Sequence, residues 1–261
     1  MTPKLMGVIN VTPDSFFDGG LFLDAEAAIE HGRELAEQGA EILDVGGEST
    51  RPGAAEVSAE EELARVVPVV EGLAGTATVS IDTSKAAVAR AALEAGASIV
   101  NDVTALRHDP EIAALCAERG AGLVLMHMQG DPRTMQENPA YDDVVDDVKA
   151  FLAERLEAAI AVGVAEERIW LDPGIGFGKT LDHNVELLRR LGELRELGRP
   201  LVVGTSRKSF IGKIDGSEVG RRLGGSIASS VLAAASGADV LRVHDVAEAA
   251  QAMKVATAIL G

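Results

Sequence analysis

Eight short apolar runs in this chain each end on, or beside, a side chain that can hydrogen-bond or carry charge. In order these are Asn10, Asp44, Asp82, Asn101, His127, Asp172, Ser206 and His244. Carboxylates and amides suit recognition of a polar group, or the balancing of charge that develops in a reaction. Arg242 and His244 stand two residues apart, which turns both side chains the same way on a strand. Arg242 is one of 24 basic residues against 41 acidic ones, a formal net charge of −17 with histidines neutral, and His244 would add to it when protonated. An anionic substrate would need those few cations concentrated at its site. So acidic a surface also argues against nucleic acid and anionic lipid as partners. One polar strand end could be an ordinary loop cap. Eight of them imply a shared site, because buried polar groups need partners.

The elements that would gather these groups alternate along the chain. Strands are expected at 5–10, 42–46, 78–82, 99–102, 123–127, 169–172, 201–204 and 240–244. Helical patterns at 24–38, 59–73, 85–95 and 181–197 carry apolar residues at three- and four-residue intervals. Several helices are expected to stop at Gly39, Gly96, Gly120, Gly163 or Gly198. Such alternation implies parallel strands joined by right-handed crossovers, and eight units close a (β/α)8 TIM barrel. The length, 261 residues, fits one such domain over 1–261, with no shift of composition to mark a linker. Aromatics are only 3% against 47% hydrophobic residues, so branched aliphatics and alanine must fill the core. In a barrel all the strand ends meet at the carboxyl mouth, where active sites lie. Two long loops, 12–20 and 46–53, follow the first two strands there and read as lids.

Other motifs lead elsewhere. The single Cys116 rules out an intrachain disulfide and reads as a small buried hydrophobe. No apolar run approaches membrane-spanning length and the N-terminus lacks a secretory pattern, so a cytoplasmic location is expected. The stretch 174–180, ending Gly178-Lys179-Thr180, has the wrong spacing for a Walker loop and reads as a flexible glycine loop. Asp142-Asp143-Val144-Val145-Asp146-Asp147 fits a literal diphosphate signature, but a solvated helix face with the valines inward accounts for it better. The five histidines show no metal-ligand spacing.

At the strand ends the sequence becomes specific. Gly7-Val8-Ile9-Asn10-Val11-Thr12-Pro13-Asp14-Ser15-Phe16 resembles the first signature of the dihydropteroate synthase family. Asp44-Val45-Gly46-Gly47-Glu48-Ser49-Thr50-Arg51-Pro52-Gly53 resembles its second. Ser80-Ile81-Asp82-Thr83, Asn101-Asp102, Met126-His127-Met128, Asp172-Pro173-Gly174, Ser206-Arg207-Lys208-Ser209 and Arg242-Val243-His244-Asp245 follow in the family's order. The resemblance implies a cytosolic barrel transferase of folate biosynthesis. It would condense 6-hydroxymethyl-7,8-dihydropterin diphosphate with p-aminobenzoate, giving dihydropteroate and pyrophosphate, and sulfonamides would mimic the p-aminobenzoate.

The same resemblance distributes the residues. Asp82, Asn101, Asp172 and Lys208 would hold the pterin. Asn10, Thr50, Arg51, Arg242 and His244 would hold the diphosphate, with Asn10 as the protein ligand of Mg2+. Pro52, Phe177, Lys208 and Ser209 would face p-aminobenzoate. Asp82, Asp172, Lys208, Arg242 and His244 would carry the catalysis, a dissociative displacement in which carboxylates offset a cation at the pterin methylene. The small-residue helix around 227–235 would be a homodimer face. Two rivals are a corrinoid-linked pterin methyltransferase and a non-catalytic pterin-binding barrel; neither has use for the cationic diphosphate set.

Overall fold

Eight parallel strands and the helices between them make up the computed structural model, which describes residues 2–12, 25–49, 57–131 and 134–260. The strands are β1 (Lys4–Asn10), β2 (Ile42–Gly46), β3 (Thr78–Asp82), β4 (Ile99–Asp102), β5 (Gly122–Met126), β6 (Ile169–Asp172), β7 (Val202–Val203) and β8 (Val240–Val243). Between and after them run α1 (Ala25–Glu37), α2 (Ala59–Leu73), α3 (Ala86–Glu94), α4 (Glu111–Arg119) and α5 (Val144–Val162). The series continues with α6 (Leu181–Arg189), α7 (Ser209–Asp215), α8 (Leu223–Ala235) and α9 (Val246–Leu260). Neighbours pair in the order β6-β5-β4-β3-β2-β1-β8-β7. The remaining seam is closed by one parallel bridge, Leu171 to Leu201, beside a Leu171 N–H to Pro200 carbonyl bond of 2.9 Å. The architecture is a nearly closed eight-stranded α/β barrel.

Period-two alternation sorts each strand's side chains. Outward residues such as Ile9, Leu43, Ile81 and Leu171 pack under the helices in one continuous apolar shell. Inward residues near the amino ends, Met6, Ile42, Ile99, Val124, Val202 and Val240, form a separate plug against Trp170. Two residues further along on β2, β4, β6 and β8 the inward positions turn polar, to Asp44, Asn101, Asp172 and Arg242, and there the site begins.

Two expectations shift. The strand expected at 201–204 is paired only over Val202–Val203, since Leu201 is drawn into the closing bridge and accepts from the Asp239 and Val240 N–H groups. The helix expected at 181–197 stops at Arg189 and continues as a 3-10 stretch, Leu191–Leu197. Gly192 weakens the α-helix there, and the three-residue repeat of a 3-10 turn lets the Arg190 guanidinium fork onto Glu193 at 2.9 Å. Among the described residues no helix is long and apolar enough to cross a membrane.

Candidate active site

The carboxyl mouth holds a cavity lined by Asp82, Asn101, Asp172, Lys208, Arg242 and His244. Phe177, Ser206, Gly174, Ile175, Val103, Met126 and Gly204 complete the wall. The strands explain the gathering. Asp82 faces Asn101 across the β3–β4 ladder, Met126 faces Asp172 across β5–β6, and Arg242 lies on β8 next to Met6 of β1. Lys208 caps α7, just beyond β7.

Arg242 is the electrostatic centre. Its Nε donates to Asp44 Oδ2 at 2.7 Å and its Nη2 to Asp82 Oδ2 at 2.8 Å, while Asn101 Nδ2 donates to the same Asp44 oxygen at 3.1 Å. Burial opposes the guanidinium charge, but the Asp44 and Asp82 carboxylates outweigh it and hold Arg242 above its ordinary pKa. Burial pushes the Asp82 carboxyl up to about 7; Arg242 pulls it down, and Asp44, Glu62 and Asp102 add to the rise. The family resemblance puts Arg242 on an anionic leaving group. Two of its three nitrogens are committed to carboxylates, so only Nη1 has no protein partner among the described residues. Asp44, absent from the predicted site set, is the buried anchor that commits it. Its place as the one charged residue inside the apolar run of β2 was the available signal.

Across the cavity, Asp172 Oδ1 accepts the Gly174 N–H at 2.7 Å. Burial raises the Asp172 carboxyl against that bond and the charges of Lys208 and Arg242. Lys208 Nζ sits 4.0 Å from the centroid of the Phe177 ring. Burial and then Arg242 lower its pKa to about 8, although Asp172 and Asp82 resist. On the far rim the His244 N–H donates to Ser206 Oγ at 3.2 Å, and that oxygen lies 3.0 Å from His244 Nδ1. An acid raised and an amine lowered, sharing one buried pocket, is the electrostatic signature of a reacting site.

Not every predicted residue joins this set. Asn10 ends β1, half-buried, outside the cavity lining. Ser209 opens the short helix α7 but is exposed and does not line the cavity. Thr50, Arg51 and Pro52, and most of the 12–20 loop, lie outside the described residues. His127 does not join the mouth as its strand-end position suggested. Its ring turns outward against Phe151, edge-on at 4.9 Å between centroids, because odd and even residues of β5 face opposite ways. The Asn101-Asp102 pair divides likewise: Asn101 faces the cavity, while Asp102 accepts from the Thr104 and Leu106 N–H groups and fixes the β4–α4 turn.

The other motifs settle into structural places. Asp143 caps α5, accepting from Val145 and Asp146 N–H, and pairs with Arg190 at 2.7 Å, while Val144, Val145 and Val148 are buried. Cys116 is buried and burial pushes its thiol up to about 12, which makes it a poor nucleophile. The segment expected to be a flexible glycine loop is instead tied down by Lys179, whose side chain is buried beneath it.

A barrel with paired carboxylates, an amide and a lysine at its mouth defines a class of enzyme that binds a polar heterocycle, and comparison with known proteins agrees. Residues 6–244 match the family model described as pterin binding enzyme. The Escherichia coli K12 dihydropteroate synthase is 50% identical over 260 residues, covering 99% of this chain and 92% of its own length. A Yersinia pestis dihydropteroate synthase solved in a sulfonamide drug complex superposes with a TM-score of 0.96 at 47% identity, covering 99% of this chain and 94% of that one. The Xanthomonas albilineans enzyme, solved with 4-aminobenzoic acid, gives 0.93 at 49% identity, covering 100% and 94%. With 7,8-dihydropteroate it gives 0.90 at 46% identity and the same coverage. The chain belongs to the pterin-binding enzyme family. Within that family it groups with the dihydropteroate synthases, and it is a transferase.

Proposed function

We propose that this enzyme joins 6-hydroxymethyl-7,8-dihydropterin diphosphate to p-aminobenzoate, releasing pyrophosphate and forming 7,8-dihydropteroate. The observation that carries the reading is the one cavity in which Asp82, Asn101, Asp172 and Lys208 meet Arg242 and His244. A pterin edge offers donors to Asp172 and Asn101, and its ring oxygen and nitrogen accept from Lys208. The carbon–oxygen bond at the pterin methylene breaks first and its electron pair leaves with the diphosphate. Asp82 and Asp172 balance the delocalised cation that remains. The aryl amine then forms the carbon–nitrogen bond and sheds one proton to solvent. The Phe177 face beside Lys208 suits the aromatic ring and carboxylate of p-aminobenzoate. His244, and Arg242 through Nη1, serve the departing anion.

Magnesium fits the donors at hand. Asn10 presents a carboxamide with no protein partner among the described residues, and no cluster of three His, Cys, Asp or Glu is found there. One neutral oxygen suits an ion that keeps water and phosphate as its remaining ligands. Asn10 would hold it, and the ion would supply charge neutralisation at the diphosphate.

Leu232, Val255 and Ile259 stand exposed on α8 and α9, while α8 turns Ser226, Ser229 and Ser230 inward. An apolar face with serines behind it supports a homodimer through these helices. Leu232→Asp should give a monomer by light scattering; an unaltered dimer would move the interface elsewhere. The composition supports a cytoplasmic enzyme acting on small molecules.

The central test incubates purified protein with Mg2+ and both substrates and assays dihydropteroate. Product that requires both substrates, and that a sulfonamide suppresses competitively with p-aminobenzoate, supports the reading. Diphosphate release indifferent to the aryl amine would replace it with simple hydrolysis.

A further inference from the structure

Lys179 is the largest fully buried side chain among the described residues, and nothing in the proposed chemistry uses it. Its Nζ lies 3.0 Å from the Gly174 carbonyl, 2.9 Å from the Phe177 carbonyl and 2.8 Å from His127 Nδ1. A fourth, longer contact of 3.5 Å reaches the His127 carbonyl, so the nitrogen is fully partnered in either proton state. Burial pushes the His127 ring down to about 2, which keeps it neutral, and burial also lowers Lys179 well below a free amine. His127 is in turn wedged between Phe151 and Tyr141. The amine is thus fixed from the outer shell of the barrel and reaches inward under the β6–α6 segment.

That segment has no regular structure to hold it. Gly174, Gly176 and Gly178 adopt φ of 66°, 86° and 61°, and chains rich in such residues are loose unless tied. Every carbonyl from Gly176 to Gly178, and that of Gly174, is tied by a side chain. Gln136 Nε2 holds Gly176, the Tyr141 hydroxyl holds Gly178, and Lys179 holds the other two. Gly174 also abuts the β5 end so closely that a Cβ there would lie 1.9 Å from the His127 carbonyl oxygen. The two carbonyls that Lys179 grips bracket Ile175 and Phe177, the residues this segment sends into the cavity.

We infer that Lys179, seated on His127, is a positioning residue that sets the Phe177 wall opposite Lys208 and so governs affinity for the aryl amine substrate. This rests on the reading that Phe177 faces p-aminobenzoate. Lys179→Met keeps the length and removes the donors. It should raise KM for p-aminobenzoate about tenfold while KM for the pterin diphosphate changes less than about twofold. In a Phe177→Ala background the same change should add less than about twofold, because the device has lost what it positions. His127→Leu should reproduce the p-aminobenzoate effect, and His127→Asn, whose amide oxygen takes the place of Nδ1, should restore it. If Lys179→Met does not fold, the His127 pair and its own Phe177→Ala combination answer the question. Equal rises in both KM values, additivity with Phe177→Ala, or no change would overturn the inference. Failure of the functional reading looks different: the unaltered enzyme would then make no dihydropteroate, whatever stands at 179.

Discussion

Two layers of the barrel interior lie two residues apart on the same strands. Ile42, Ile99, Trp170 and Val240 belong to the lower one; Asp44, Asn101, Asp172 and Arg242 follow them in the upper. The backbone is the same and so is the direction in which the side chains point. The lower layer is packed apolar surface, stable by burial. In the upper layer Asp44, Arg242, Asp82 and Asn101 hold one another in a single network, and Asp172 accepts the Gly174 N–H. A carboxylate partnered only by Arg242 is stable when that guanidinium is present and costly when it is not. The contrast shows where this molecule stores rigidity and where it accepts strain in exchange for chemistry.

The sharpest way to break the contrast is Arg242→Met. Two buried carboxylates would lose their counter-charge, at a stability cost of about 3–5 kcal/mol near pH 8 by chemical denaturation. The deficit should shrink toward pH 5, where the carboxyls can take up protons. Activity should fall on the order of a thousandfold. A variant as stable as the parent at pH 8 would show that the upper network is not held together by charge. Next in size is Ile99→Ala in the lower layer, which should cost about 2–5 kcal/mol through the cavity it leaves. At 25 °C kcat and both KM values should stay within about threefold, since the plug touches no substrate. If kcat collapsed while the fold survived, the lower layer would have to be counted as part of the site.

A smaller effect comes from pH. Asp82 titrates near 7 because burial raises it, and Lys208 near 8 because burial and Arg242 lower it. Asp82 must be ionised to offset a cation, so kcat/KM should fall as pH drops below about 7. Lys208 must keep its proton to donate, so it should also fall as pH climbs above about 8. Asp82→Asn should erase the acid limb and leave the alkaline one. Stability follows the same carboxyl with its own sign. Because the folded value lies above that of a free aspartate, the folded state binds the extra proton between about 4 and 7, and stability is lost as pH rises through that window. A flat profile from pH 6 to 9 would remove both groups from the rate-determining chemistry.

The upper layer was legible in sequence because each of its residues interrupts an apolar run, and that pattern survives without coordinates. Four of the eight strands, at 42–46, 78–82, 99–102 and 169–172, begin and end where the hydrophobic runs do. His127 shows the limit: a strand-end position carries no information about which face the residue takes, and one residue of register sends the ring outward. Asp44 shows another, since its part is to hold Arg242, a partner 198 residues away that no local pattern links to it. Lys179 was hidden for a third reason. Lysine is almost never fully buried, so a glycine-rich stretch ending in Lys reads as an exposed loop until the enclosing side chains are seen.

Met6→Leu gives the smallest effect and the cleanest reading of the lower layer. Met6 is fully buried at the foot of β1, among the aliphatic side chains of the plug and beside Arg242 in the ladder. Leucine nearly conserves its volume, so stability should change by less than about 1.5 kcal/mol. The two pH limbs should stay where they are, because no charge moves. The measurement separates two ideas of the barrel floor. If the plug is only packed support, any shape that fills it will serve the network above. If the pH limbs shift with Met6→Leu, then the plug tunes the field at Arg242 through its packing. The two layers would then have to be treated as one site.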